Sequence, residues 1–530
     1  MADSAWLERY RTAVYPALNG AVSLGAFLGA GAHDVPFGVA VYVCVLVGLC
    51  SAPLLLLKRL NDRYALLGIF MMTYFLFFGA LDLQILLFGT DRLQSVRTGF
   101  LTSSELAILV GAAAVLFGYV LAGAVWGSHD DPEHGRPAAE WPAGPLLVIG
   151  LAVWVLGNTA SLYFQLVVMP SKLGFAAAKG MASMGPVLTF MVMLGQMMLP
   201  VGVLMLAYGY AKYRGILWTA LIVVVVATQV AVGFLEDIKG QAILGGVLVI
   251  MTRTVVTSRV PKAWIAYMAV FLVVGFPLFQ AYRVVSGERG LDRAQALARI
   301  DLVLANVMAS RDKLAEGRNR QQSFLERSSS KGNLDLLFEH VGSDVPYLRG
   351  ASLVAIPMAF VPRLLVPDKE DISVGALFGK LILKSDSGVY ISVSHLGELY
   401  WNFGWAGILF GMLVLGMLLG VVGTRFTLER GVTLTRVLVL LATVQPLCLG
   451  FGGTMPVSYL VWMRSMAAIG LLHLIFARVT PVPTITSEPE RSALRKGGLP
   501  QGRLLQPQVA RSSLPAALPA PVPRFPNLLR

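Results

Sequence analysis

Charge is scarce in this chain. Lysine, arginine, aspartate and glutamate make up 14% of the 530 residues against 56% hydrophobic ones, too little polar material to coat a water-soluble domain of this size. The mean hydropathy of +0.69 makes lipid the solvent instead. Cysteine is rarer still. Cys44, Cys50 and Cys448 each lie inside an apolar run, which reads as packing and offers neither zinc-ligand spacing nor a disulfide framework. No metal or other cofactor is expected. No repeat relates the two halves, which speaks against the duplicated architecture usual among secondary transporters. A net charge of +13 would suit a nucleic-acid partner, but the bases sit mostly in short loops between apolar runs and in a C-terminal tail. Orientation in a membrane demands that distribution, and nucleic acid is set aside.

Hydrophobic runs supply the rest. Residues 13–32 are Ala/Gly-rich and weakly apolar; Ala30-Gly31-Ala32 resembles a signal-peptide cleavage site, whereas Glu8 ahead of the run and Asn19-Gly20 within it favour a retained span. Further candidate spans are 35–57, 64–88, 103–126, 145–168, 183–211, 215–234, 241–256, 261–281, 395–423, 432–452 and 456–477. Each approaches the roughly 20 residues that a helix needs to cross the hydrocarbon core, 241–256 being short. The expectation is an all-α polytopic membrane protein of about 12 transmembrane helices with one long extracytoplasmic loop. Residues 1–281 form an N-terminal bundle, 282–394 the loop, 395–480 the C-terminal helices and 481–530 a tail. That tail carries ten of the 28 prolines, seven bases and two acids, cannot bury enough apolar surface to fold alone, and is expected to be disordered.

Counting lysine and arginine in alternate loops gives fourteen on one side and five on the other. The richer side is the cytoplasm, so both termini lie inside and residues 282–394 face outward. Within that segment, residues 291–320 interleave Leu297, Ile300 and Val307 with Arg293, Arg299 and Asp301, the pattern of an amphipathic surface helix. Residues 351–367 are apolar but broken by Pro357, Pro362 and Pro367, and too short to cross. They suit an interfacial or re-entrant element, which membranes tolerate only beside protein or a water-filled cavity.

A helix starting near Ser392 turns 100° per residue, which places His395, Glu398 and Asn402 within about 60° of one another with Trp405 adjacent. Tyr400, Gly404, Gly407 and Gly411 fall opposite, and Gly407-xxx-Gly411 permits close approach of a second helix. One face can thus offer a carboxylate, an imidazole and an amide to a cavity. The plainer reading is a Glu398 solvated at the outer interface. Other polar groups in or beside spans are Asp82 and Glu105, read as near-interface residues, with Gln196, Arg464 and the turn 236–241 that carries Lys239.

Phe-Leu-Glu-Arg at 324–327, Pro-Tyr-Leu-Arg-Gly at 346–350, Pro362-Arg363, Pro-Asp-Lys at 367–369 and Gly-Glu-Leu-Tyr-Trp-Asn-Phe-Gly at 397–404 occur in this order. Together they resemble the O-antigen polymerase (Wzy) family of oligosaccharide repeat-unit polymerases. The likeness covers residues 324–420, and Val366 stands where that family often has tryptophan.

The resemblance implies a membrane glycosyltransferase of the bacterial inner membrane. Its substrates would be undecaprenyl-diphosphate-linked glycans, polymerised by en bloc transfer into O-antigen, capsule or exopolysaccharide. A flippase and a chain-length regulator would be its partners. Such a reaction needs cations for the diphosphate leaving group and a base for the acceptor hydroxyl. Arg363, between two helix-breaking prolines, is the first candidate cation, with Arg283, Arg327, Lys369 and Lys239 as further diphosphate contacts. Glu398 and His395 are the candidate bases, and Tyr400, Asn402 and Trp405 are candidates to position sugars. An O-antigen ligase-like transferase would need the same groups. A lipid-linked oligosaccharide flippase would not need so long an outward segment.

Overall fold

The computed structural model describes residues 15–57, 62–89, 100–127, 141–163, 186–213, 215–236, 239–271, 329–358, 374–385 and 391–479, together with 275, 278 and 301. The expected amphipathic helix (apart from residue 301), most of the re-entrant element and the C-terminal tail lie outside the described residues. Among those described the secondary structure is helical, with a lone bridge between Val341 and Val345.

The helices, in chain order, are α1 (Tyr15–Ala32), α2 (Phe37–Leu56), α3 (Ala65–Phe78), α4 (Ala80–Phe88), α5 (Ser103–Trp126), α6 (Ala143–Tyr163), α7 (Pro186–Tyr213) and α8 (Ile216–Glu236). There follow α9 (Lys239–Thr257), α10 (Lys262–Val270), α11 (Lys331–His340), α12 (Ala351–Met358), α13 (Val374–Leu381), α14 (Ser394–Arg425), α15 (Leu434–Thr443) and α16 (Met455–Val479). Every apolar run named from the sequence contains a helix. Among the described residues seven helical stretches are long and apolar enough to cross a membrane, or eight if α3 and α4, bent by 55°, count as one span. The chain is therefore a multi-pass membrane protein.

Two features of the bundle position the site. First, α5 and α14 touch backbone to backbone. A Cβ on Gly118 of α5 would lie 2.2 Å from the Leu413 carbonyl oxygen, and one on Gly416 would lie 2.3 Å from that of Val115. Small residues let helices approach this closely where lipid offers no hydrophobic drive to associate. Around them Phe70, Tyr74, Phe78 and Phe451 form an aromatic core with ring centroids 4.9–6.1 Å apart. Its buried hydroxyl is satisfied, since Tyr74 donates to the Ile108 carbonyl at 2.8 Å.

Second, α14 is not one rod. Gly404 sits at φ 63° and ψ −145°, a conformation open essentially only to glycine, and splits the helix into an arm, residues 394–403, and a shaft, residues 405–425. In a continuous helix Leu399 and Gly411 would stand about 18 Å apart. Here the Leu399 side chain lies 2.4 Å from where a Gly411 Cβ would be, and the Leu399 carbonyl 2.1 Å from that of Gly407. The arm folds back on the shaft. Gly407 and Gly411 therefore receive their own preceding segment, and the expectation that they seat a second helix is corrected.

Candidate functional site

Breaking a helix strands the carbonyls of its last turn. At Gly404 they are taken by residues 346–350, the Pro-Tyr-Leu-Arg-Gly turn. Leu348 N–H donates to the Trp401 carbonyl at 2.9 Å and Arg349 N–H to that of Asn402 at 3.1 Å. Trp401 Nε1 returns a bond to the Pro346 carbonyl at 3.2 Å, and Gly350 N–H donates to Asn402 Oδ1 at 2.9 Å. The Tyr347 ring covers Gly404. Two motifs some fifty residues apart in sequence thus form one hydrogen-bonded unit.

Asn402 is the hub of this unit. Its Nδ2 donates to Ser352 Oγ and to the Glu398 carbonyl, both at 2.8 Å. With both ends of the amide engaged and 1% exposure, it holds the arm to the turn. Tyr400 is also buried, stacked on Phe338 of α11 at 3.9 Å. Trp405, past the break, has left the face that arithmetic on an unbroken helix gave it and stands 42% exposed.

Glu398 is fully buried, so solvation at the interface is not its role. Oε2 accepts from the backbone N–H of Met455 at 2.8 Å, the first residue of α16, and satisfies one of the donors orphaned at that helix start. The Ser352 hydroxyl, which accepts from Asn402, also lies against the carboxyl, and Oε1 makes no hydrogen bond of good geometry. One turn earlier on the arm, His395 is also fully buried and neither Nδ1 nor Nε2 has a partner. The rings of Phe451 at 4.9 Å and Tyr459 at 5.8 Å enclose it. A buried polar group left unsatisfied costs roughly 1–3 kcal/mol. Three such atoms lie on adjacent turns of the arm, where a bound water or a ligand group would satisfy them.

The arm is clamped from the other side by α11. Leu334 and Leu337 pack at Gly397, while Lys331 reaches α4 and α5, its Nζ 2.7 Å from Asp82 Oδ2 and 2.9 Å from Glu105 Oε1. Glu105 Oε2 in turn accepts from Thr102 N–H in a capping box that starts α5. Ser104 Oγ donates to Asp335 of α11, one turn on from Lys331. Burial by itself would lower the Lys331 ammonium; Asp82 and Glu105 more than offset this and hold it above the ordinary lysine value of 10.5. Asp82 and Glu105, read from the sequence as near-interface residues, are the buried halves of this clasp.

The structure gathers His395, Glu398, Tyr400 and Asn402 on one arm. Arg283, Arg327, Arg363 and Lys369 lie outside the described residues, and Lys239 starts α9 with its side chain undescribed. Lys331 escaped sequence reasoning, although Lys331, Leu334, Asp335 and Phe338 share one helical stripe, a spacing that marks a packed face. Comparisons of the chain with protein-family models, with curated proteins and with solved structures return no match.

Proposed function

We propose that this multi-pass protein is a twelve-span glycosyltransferase of the bacterial inner membrane, with both termini cytoplasmic. It polymerises undecaprenyl-diphosphate-linked repeat units by en bloc transfer at the outer face. The observation that supports this reading is Glu398: a buried carboxyl, one oxygen anchored on the Met455 N–H, on an arm formed and held by two of the five motifs on which the likeness to repeat-unit polymerases rests.

The chemistry follows from that geometry. The acceptor sugar hydroxyl gives its proton to Oε1 as its oxygen bonds to the anomeric carbon of the growing glycan. The bond from that carbon to the diphosphate breaks, and the electron pair leaves with undecaprenyl diphosphate. Arg363, Arg283, Arg327 and Lys369 meet the charge that builds on this leaving group, an assignment carried by the resemblance alone. His395 lines the same arm as a second proton acceptor.

The test is glycan length. In membranes supplied with lipid-linked repeat unit, Glu398→Gln keeps the size of the side chain and removes the base, so turnover falls by about 10²–10⁴. An unaltered ladder of polymer lengths would remove Glu398 from the mechanism. In a deletion strain the polymerase reading expects exported lipid-linked glycan of one repeat unit. Full-length polymer left unattached to its acceptor would indicate a ligase, and repeat units retained on the cytoplasmic side a flippase.

A further inference from the structure

Within the docked turn, Arg349 has a left-handed backbone, with φ 49°. Glycine is the cheaper residue there, because a Cβ crowds the carbonyl. The conformation persists because neighbouring bonds determine it: Arg349 N–H and Gly350 N–H are both held by Asn402, and Leu348 N–H by Trp401. The side chain takes no part in that scaffold. It is exposed and has no hydrogen-bond or ion-pair partner among the described residues. The nearest acid along the turn is already engaged, since Asp344 accepts from Ser343 Oγ at 2.9 Å and pairs with His340 Nδ1 at 3.1 Å.

The backbone is thus fixed while the guanidinium is free, an arrangement that suits a ligand contact better than a solvated loop. We propose that Arg349, on the turn docked to the Glu398 arm, receives a phosphate ester, the diphosphate of the lipid-linked substrate. This rests on the function proposed above and adds a residue to it. A guanidinium offers parallel donors to phosphate oxygens. Asn402 links the turn to the Glu398 carbonyl, so the backbones that carry cation and base form one hydrogen-bonded unit; a contact to bulk lipid headgroups would need no such link. Tyr347 beside it and Trp405 are 39% and 42% exposed, which leaves aromatic faces for the sugar next to the phosphate.

The experiment measures binding of undecaprenyl diphosphate, and separately of phosphatidylglycerol, to the purified full chain in detergent. Arg349→Gly is the decisive variant, because glycine suits the backbone and removes only the side chain. It is expected to weaken undecaprenyl diphosphate binding at least about tenfold, with the thermal midpoint kept or raised and phosphatidylglycerol binding unchanged. Arg349→Lys retains charge without the fork and falls between. Undecaprenyl diphosphate binding that survives Arg349→Gly overturns the assignment alone, as does equal loss of both lipids or a lowered midpoint. If the unaltered protein binds no undecaprenyl diphosphate, the polymerase reading falls and takes this proposal with it.

Discussion

Replacing Lys331 by methionine probes the clasp that holds the arm in place. At 2.7 and 2.9 Å, each charge pair is worth about 6 kcal/mol at an effective dielectric of 20. Desolvating the ions costs several kcal/mol each, so the intact clasp contributes little net stability. Removing one partner is different. The side chains are 15%, 8% and 0% exposed for Lys331, Asp82 and Glu105, and two buried carboxylates would lose their shared cation. Lys331→Met is therefore expected to destabilise by about 3–5 kcal/mol in equilibrium unfolding in mixed micelles. Adding Asp82→Asn and Glu105→Gln should return about 1–3 kcal/mol as coupling energy. The pH dependence has a definite sign. A lysine whose pKa is raised on folding stabilises in full below 10.5, and the effect fades as pH climbs through the higher folded value. The lysine's share of the gap between wild type and Lys331→Met should thus be complete below pH 10.5 and shrink only above it. A cost below about 0.5 kcal/mol, or one indifferent to the carboxylates, would refute the reasoning.

Two further outcomes are expected besides those for Glu398 and Arg349. Gly404→Ala forces a Cβ into a conformation reserved for glycine, at a cost of about 1–3 kcal/mol in the same unfolding assay, and it should reduce polymer formation because the arm loses its angle. His395→Leu deletes two unpartnered buried nitrogens, so stability should hold or rise by about 1 kcal/mol while polymerisation drops. A variant that polymerises normally would return His395 to the packing of the core.

Much of this was legible in the sequence. The apolar runs announced the helices, because a span in lipid must be apolar throughout and satisfy its own backbone. His395, Glu398 and Asn402 do share a polar face, and the arm buries it. The break was not legible, since 100° arithmetic assumes a continuous helix and nothing local marks Gly404 apart from the other glycines of its segment. Trp405 and the Gly407/Gly411 pair were misassigned for that one reason. The clasp was hidden differently: Lys331 lies 249 and 226 residues from Asp82 and Glu105, and periodicity carries no information over such separations.

Glu398 also seats a helix. Its anchored oxygen holds the first amide of α16 through a charge-assisted bond, and such bonds are roughly twice as strong as neutral ones. On the function proposed above, a proton taken up at Oε1 would neutralise the carboxyl and weaken that tether. The proposed base and the peg that fixes the start of α16 are thus one side chain, so a substitution at Glu398 is felt at the far helix as well.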